Sequence, residues 1–166
     1  MTESDVLANI RAFLLEVIGP GAVVLTTQVN RVAMPDAANF VMMTPMSRIE
    51  LGTSVDTWPP EAVAPTALDV TQPTEFTTQL DFYGPLASDW AQKVITLARN
   101  LYGAERLVTP LYTSGARQMP FINAEAQYEN RWIVSLVMQI NPAVSTAMQF
   151  ADTVTVDTIL IEGIVP

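Results

Sequence analysis

The sequence predicts an α+β domain in which a mainly antiparallel sheet carries its helices on one face. Two segments place apolar residues at helical spacing, and several others alternate apolar and polar residues with the period of a strand. Helical and extended segments follow one another along the chain, and the strands show one-sided alternation. Because the 166 residues contain no internal repeats or low-complexity tracts, we expect a single domain spanning residues 1–166.

The first element is expected to be a helix. Ser4 is a suitable N-cap, and Asp5 lies in the first turn, where the helix dipole favours a negative charge. The Gly-Pro-Gly sequence at 19–21 ends the helix. Its apolar stripe consists of Val6, Ile10, Phe13, Leu14 and Val17.

Extended segments follow the first helix. Ala22 to Val29 is rich in β-branched residues, and Phe40 to Leu51 reads as an edge or bulged strand because Pro45 interrupts it. Residues 52–73 contain four prolines and show no periodicity, so they are expected to form a long irregular loop. Regular alternation returns in residues 74–83, which predicts a strand with one apolar face.

A second helix is predicted to begin after Gly84-Pro85 and to end before Gly103, a suitable residue for the position just past a helix. Residues 104–124 form a second irregular segment, and residues 126–140 alternate as a strand with Tyr128 and Trp132 on its apolar face. Asn141-Pro142 ends that strand, and residues 153–161 supply a last one. The apolar stripe of the helix consists of Leu86, Trp90, Val94, Leu97 and Leu101.

The charge content points to association rather than to nucleic-acid binding. Only 15% of residues are charged, against about 25% in typical domains. A surface of this kind suits a subunit covered by neighbours, although a compact monomer with a neutral surface remains an alternative. The net charge is −9, the only lysine is Lys93, and the arginines are scattered, so adhesive binding to phosphates is not expected. DNA could still pass along a negative wall, and the excess carboxylate also accounts for simple solubility.

Residue types that carry much of enzyme chemistry are absent. The chain has neither histidine nor cysteine, which excludes nucleophilic triads and zinc sites built on those side chains. Carboxylate pairs such as Asp81 with Asp89, or Glu125 with Glu129, leave a small Asp/Glu-dependent hydrolase as a weak alternative. We therefore expect neither an enzyme nor a bound cofactor or metal. No apolar run approaches the roughly 18 residues of a membrane span, so a cytoplasmic protein is expected.

Several marked segments give the chain a family resemblance. The most informative is Asp81–Pro85 running into residues 86–91, followed by residues 127–132, residues 139–142 and Phe150–Asp152. Further matching segments are residues 28–31, 40–45, 110–112 and 118–120. In these segments the chain resembles the tail-terminator, or neck terminator-like, proteins of tailed phages.

The resemblance implies a structural role rather than catalysis. It implies a small sheet flanked by helices that assembles into a ring, with sixfold symmetry, in the neck of the virion after synthesis in the host cytoplasm. The ring would cap the last ring of the tail tube and present a surface to the head–tail connector, while DNA passes through without specific binding. Another neck component, such as a head-completion or tube-connecting protein, is the alternative.

Two groups of residues are candidates for assembly roles. The first group consists of large apolar or cationic side chains, which suit a subunit or partner interface. Its members are Trp58, Tyr112 and Arg117 in the two irregular segments, and Arg31 and Arg48 outside them. Packing of Trp58 on its own domain and solvation of the arginines remain open. The second group consists of carboxylates expected to line a negative channel: Glu75, Asp81, Glu129 and Asp157.

Overall fold

The computed structural model describes residues 1–26, 35–58, 66–122 and 128–148. The predicted α+β class is confirmed, with mixed, mostly antiparallel sheets and three helices in these ranges. Arg31, Glu125 and Asp157 lie outside the described residues, as do the segment 28–31 and the predicted last strand. No described helix is long and apolar enough to cross a membrane.

The elements are interleaved along the chain. The helices are α1 (Glu3–Ile18), α2 (Ala87–Ala98) and α3 (Leu101–Arg106). The first strands are β1 (Val23–Thr26), β2 (Phe40–Glu50), β3 (Val55–Thr57), β4 (Thr66–Thr71) and β5 (Thr74–Tyr83). The later strands are β6 (Pro110–Thr113), β7 (Arg117–Gln118), β8 (Phe121–Ile122), β9 (Tyr128–Glu129), β10 (Arg131–Ile140) and β11 (Ala143–Met148).

A six-stranded sheet forms the centre of the fold, in the order β1-β2-β5-β10-β6, with β7 also paired to β10. Among its described strands, only the β1–β2 pair is parallel. The predicted bulge in β2 is confirmed, because the register with β5 shifts between Pro45 and Ser47. Proline has no N–H to contribute to the ladder, which favours an irregularity there. Since β1 reaches only as far as Met43, the rest of β2 is a sheet edge among the described strands.

The hydrophobic core lies between this sheet and the helices. Alternate residues of β5 and β10 point into it, and the helices supply the opposing side chains. Trp90 is 8% exposed and Trp132 packs at the margin of the same core. The largest fully buried side chains are Phe13, Phe76, Phe82, Ile10, Leu14, Met43, Leu80, Leu136 and Met138.

The start of α1 differs from the prediction by two residues. Thr2, not Ser4, is the N-cap: its hydroxyl accepts a hydrogen bond from the Asp5 N–H, and the Asp5 carboxylate accepts one from the Thr2 N–H. This capping box satisfies two backbone donors at once, which a cap at Ser4 would not. The same hydrogen bonds lower the pKa of Asp5. The helix ends at Gly19, as predicted.

The predicted long second helix is two helices. α2 ends at Ala98, and Asn100 starts α3 by accepting a hydrogen bond from the Gly103 N–H. Gly103 therefore lies inside α3, where an added Cβ would come within 2.2 Å of the Ala98 carbonyl oxygen. Leu101 is 76% exposed instead of lying on a buried stripe.

An exposed ion pair secures α3 to α1. The Arg106 Nε–H donates to the Glu16 carboxylate over 2.6 Å, and the Tyr102 hydroxyl donates to the same carboxylate. The hydrogen bond from Arg106 is the main reason that the pKa of Glu16 is lowered. Because the pair is largely exposed, it fixes the position of α3 more than it adds to stability.

Both segments predicted to be irregular contain strands. Residues 52–73 include β3 and β4, and residues 104–124 include β6, β7 and β8. Backbone pairing with distant strands holds them in place: the Ser114 N–H donates to the Ser135 carbonyl and the Met119 N–H to the Arg131 carbonyl. Hydrogen bonds of this kind leave no periodic signal in a sequence.

The strand predicted over residues 126–140 is interrupted at Asn130. β9 pairs with β8, whereas β10 belongs to the central sheet. Tyr128 is 77% exposed, so its prediction as part of the apolar face is wrong. Separation from β10 removes it from the face that the helices cover.

Candidate assembly surfaces

The two most distinctive sequence segments meet at one end of the central sheet, where β5 ends and β10 begins. Tyr83 pairs with Arg131 in the register of the two strands. The Gly84 N–H donates to the Asn130 carbonyl over 3.1 Å, and the Asn130 side-chain amide donates to the Gly84 carbonyl over 3.3 Å. The chain turns from strand to helix at this closed pair of hydrogen bonds.

Gly84 is required at this turn by its surroundings. Its φ is +96°, a conformation that favours glycine, and an added Cβ would lie 1.9 Å from the Ala38 carbonyl oxygen. The Leu86 N–H, close to the start of α2, donates to the Asn39 side-chain oxygen over 2.8 Å. The turn is therefore pressed against the segment that leads into β2.

Asn130 extends the junction to the neighbouring edge of the sheet. Its side-chain oxygen accepts hydrogen bonds from the Trp132 indole N–H over 3.1 Å and from the Gln118 amide over 3.0 Å. One asparagine thus connects the β5–α2 turn, β10 and β7. Gly84 and Asn130, which belong to the distinctive sequence segments, therefore stabilise the fold.

Asp81 and Arg131 form an ion pair next to this junction. Alternation places Asp81 on the sheet face opposite the helices, and it is only 3% exposed. Its Oδ1 atom accepts hydrogen bonds from the Arg131 Nε–H over 3.1 Å and from an Nη2–H over 2.9 Å, and Gln79 donates to both carboxylate oxygens. In the single chain this carboxylate is therefore buried and paired with a cation.

Aromatic residues cover the same ion pair. The Arg131 guanidinium carbon lies 5.7 Å from the centre of the Tyr83 ring, which stacks on Phe40 at 4.5 Å and 11°. Burial raises the pKa of Tyr83. The arrangement ties together β2, β5 and β10, the three central strands of the sheet.

The paired carboxylates considered for catalysis are separated by the structure. Asp81 lies on the face without helices, whereas Asp89 is exposed on α2, which packs on the other face. A groove of about 570 Å³ runs along the outer side of α2, and Asp89 lies on it without Asp81. Its lining combines apolar and polar side chains: Leu86, Asp89, Trp90, Gln92, Lys93, Thr96 and Leu97. Within the described ranges, no three acidic side chains are grouped to hold a metal ion.

Two of the interface candidates lie on one edge of the sheet. Tyr112, in β6, pairs with Val137, and Arg117, in β7, pairs with Ile133. Their partners are four residues apart on β10, so the two positions are separated by roughly 13 Å along the strand. Tyr112 is 46% exposed and Arg117 is exposed.

The other described candidates lie apart from this edge. Arg48 pairs with Glu3 over 2.9 Å and lies over the Phe76 ring. Trp58 is 46% exposed just after β3. Glu75 and Glu129 are half-buried.

A second sheet, which we call the arm, consists of β3, β4 and β11. Its order, β3-β4-β11, repeats the order β2-β5-β10, so each arm strand extends a central strand. The Leu51 N–H donates to the Pro73 carbonyl and the Gln72 N–H to the Pro142 carbonyl, which bridge the two sheets. Because Pro73 and Pro142 lack N–H groups, the regular ladder breaks between them.

Sequence reasoning missed the arm. β11 has no alternation of apolar and polar residues, and all six of its residues are exposed. The available signal was the position of Pro73 directly before β5 and of Pro142 directly before β11, since a proline there can break the ladder while the strands continue beyond it.

The described structure is thus that of an acidic α+β protein whose distinctive residues hold the fold and whose exposed apolar side chains are spread over several surfaces, the arm among them. A comparison with protein-family models matches residues 4–166 to the phage neck terminator protein family. The chain therefore belongs to that family, whose members are structural and not enzymatic. A search of curated proteins finds no match.

The ion pair yields a prediction about stability. Asp81→Asn should lower the free energy of unfolding by about 2–4 kcal/mol, because Arg131 loses its charged partner in a largely buried site. The measurement is chemical denaturation followed by circular dichroism. Glu75→Gln, on the same strand and face but half-buried, is the control and should change stability by less than about 0.5 kcal/mol. Equal effects of the two changes would contradict the role given to the ion pair.

Proposed function

We propose that this protein forms a hexameric ring that terminates the tail tube and joins it to the head–tail connector. The observation that carries the proposal is the family match over residues 4–166, which makes the protein a phage neck component. The sixfold symmetry rests on the resemblance in sequence. Its partners would be the tail-tube protein on one face of the ring and connector proteins on the other, and its location would be the virion neck.

The mechanism would depend on shape and on the order of assembly. Binding of the ring to the end of the tube blocks further addition of tube subunits, and its opposite face then recruits the connector. Such contacts need exposed anchors on a rigid support. Tyr112 and Arg117 fit this need, because their strands are hydrogen-bonded to β10 while their side chains reach solvent.

The channel of the ring is proposed to be net negative. The support is the charge of −9 for each chain, together with half-buried Glu75 and Glu129 among the candidates; Asp157 lies outside the described residues. Repulsion over a Debye length of about 8 Å at physiological salt would keep DNA from adhering to the wall. Fluorescence anisotropy with double-stranded DNA should therefore show no tight binding at that salt, and tight binding would contradict this proposal.

The ring itself can be tested directly. Native mass spectrometry at micromolar concentration should show hexamers, or a monomer that becomes hexameric on purified tail tubes. Electron micrographs of the mixture should place the density at tube ends, and tubes assembled in its presence should stop growing. A protein that remains a monomer or dimer even with tubes present would overturn the proposed function, and binding elsewhere in the neck would favour another neck component.

Exposed anchors and core residues should respond differently to substitution. Trp58→Ala and Arg117→Glu should leave circular dichroism and melting nearly unchanged while weakening assembly. Trp90→Ala should instead lower stability by about 3–5 kcal/mol, as expected for an aromatic core residue. Arg99→Glu, an exposed charge reversal at the end of α2, is the matched control for Arg117 and should assemble normally. If Trp58→Ala unfolds the protein, Trp58 belongs to the folded core instead of an interface.

A further inference from the structure

Among the described residues the arm has little cover from the helices, and Leu68 of β4 is nevertheless buried at 8% exposure. Three strands are stable when one face packs on a core or a helix. Within the described ranges, β3, β4 and β11 pack on one another and make at most marginal contact with other elements. Its exposed apolar side chains include Val144 at 66% and Met148 at 39% on one face and Val55 at 54% on the other.

β11 itself carries none of the features that guard an exposed strand edge. Natural proteins normally guard an exposed edge strand with charged residues, proline or a bulge. β11 reads Ala-Val-Ser-Thr-Ala-Met, without any of these, and it pairs with β4 in an unbroken register of six residues. No other described strand pairs with β11, and the opposite edge of the arm, β3, is also free among the described strands.

We propose that the arm is a self-association surface, in which β11 of one copy pairs with β3 of the next copy. This proposal rests on the proposed ring and names its contact. Both β3 and β11 run antiparallel to β4, so they run parallel to each other. Rotation about a ring axis does not reverse the component of a strand's direction along that axis, and the new pair is therefore parallel. The contact joins two different edges, and a contact of this type forms a ring when the rotation between neighbouring copies closes.

A second copy fits this surface better than a charged partner does. Each chain carries a net charge of −9, so copies approach most easily through uncharged surfaces. β11 has no charged residue, and β3 has only Asp56. A basic partner would instead be recruited by the acidic parts of the molecule. Pairing each β11 with the next β3 also leaves no arm edge free once the ring is closed.

Engineered disulfides can detect this pairing without ambiguity, because the native chain has no cysteine. Within one chain, β4 separates β3 from β11, so Val55 and Ala143 are two strand spacings, or roughly 9–10 Å, apart. A disulfide requires Cα atoms within about 7 Å. A bond between these two strands must therefore link two copies.

The experiment combines Val55→Cys in turn with Ala143→Cys, Ser145→Cys and Ala147→Cys, all on one face of the arm, so that even shifts of register are covered. Under mild oxidation, at least one double variant should give a ladder of linked species up to the hexamer on a denaturing gel. Val55→Cys with Leu101→Cys is the matched control, because Leu101 is exposed on α3, outside the arm, and it should stay unlinked.

A charge substitution provides the second measurement. Val144→Glu with Met148→Glu should raise the concentration needed for half-assembly at least about tenfold. Leu101→Glu with Tyr128→Glu adds the same charge at exposed apolar positions outside the arm and should assemble like the native protein. Circular dichroism should be unchanged in both variants.

The outcomes separate the arm contact from the ring. Native rings in which no cysteine pair links, or in which the charged arm variant assembles normally, would overturn the pairing of β11 with β3 and leave the ring intact. A native protein that forms no ring, alone or on tail tubes, would overturn the proposed function and the arm contact together. Linked ladders with weakened assembly of the charged variant would establish the contact.

Discussion

The pairing of β5 with β10 is the constraint on which the rest of the structure depends. Their ten residues match in one unbroken antiparallel register. Period-two alternation then divides the sheet into a face for the helices and a face that carries the Asp81–Arg131 ion pair. A slip of one residue would exchange the two faces, bury the polar side chains against the helices and separate the ion pair. The register therefore positions both the core and the edge that carries Tyr112 and Arg117.

The hydrogen bonds at the end of this pair explain why the distinctive residues are structural. Gly84 and Asn130 bond to each other through backbone and side chain, and no residue larger than glycine fits against the Ala38 carbonyl. The fold alone therefore accounts for these two residue types, and no contact with a partner protein is needed to explain them. The segments that carry the resemblance to the family therefore include residues that hold this register.

The predictable parts of the fold are those that depend on residues close to one another in the sequence. Spacing or proline chemistry accounts for the alternation in β5, the stripe of α1, the bulge at Pro45 and the burial of Trp90, and the structure agrees.

The end of α2 was missed because a glycine such as Gly103 suits two different positions, the residue just past a helix or a close contact inside one. Only packing decides between them. The arm was missed because β11 takes its conformation from β4 and not from its own composition. Which candidate side chains are exposed in the single chain was not predictable, since burial of Asp81 depends on its cross-strand neighbour Arg131.

The missing pattern in β11 has a physical meaning of its own. A strand with one buried face alternates because water and core lie on opposite sides, whereas β11 is exposed along its whole length in the single chain. Its small and uncharged residues do not require a core, and they also do not repel another strand. A natural sequence that leaves such an edge open risks aggregation unless a specific neighbour covers it. In an acidic chain, an uncharged edge is a place where a second copy would meet little repulsion, as the proposed pairing of β11 with β3 requires.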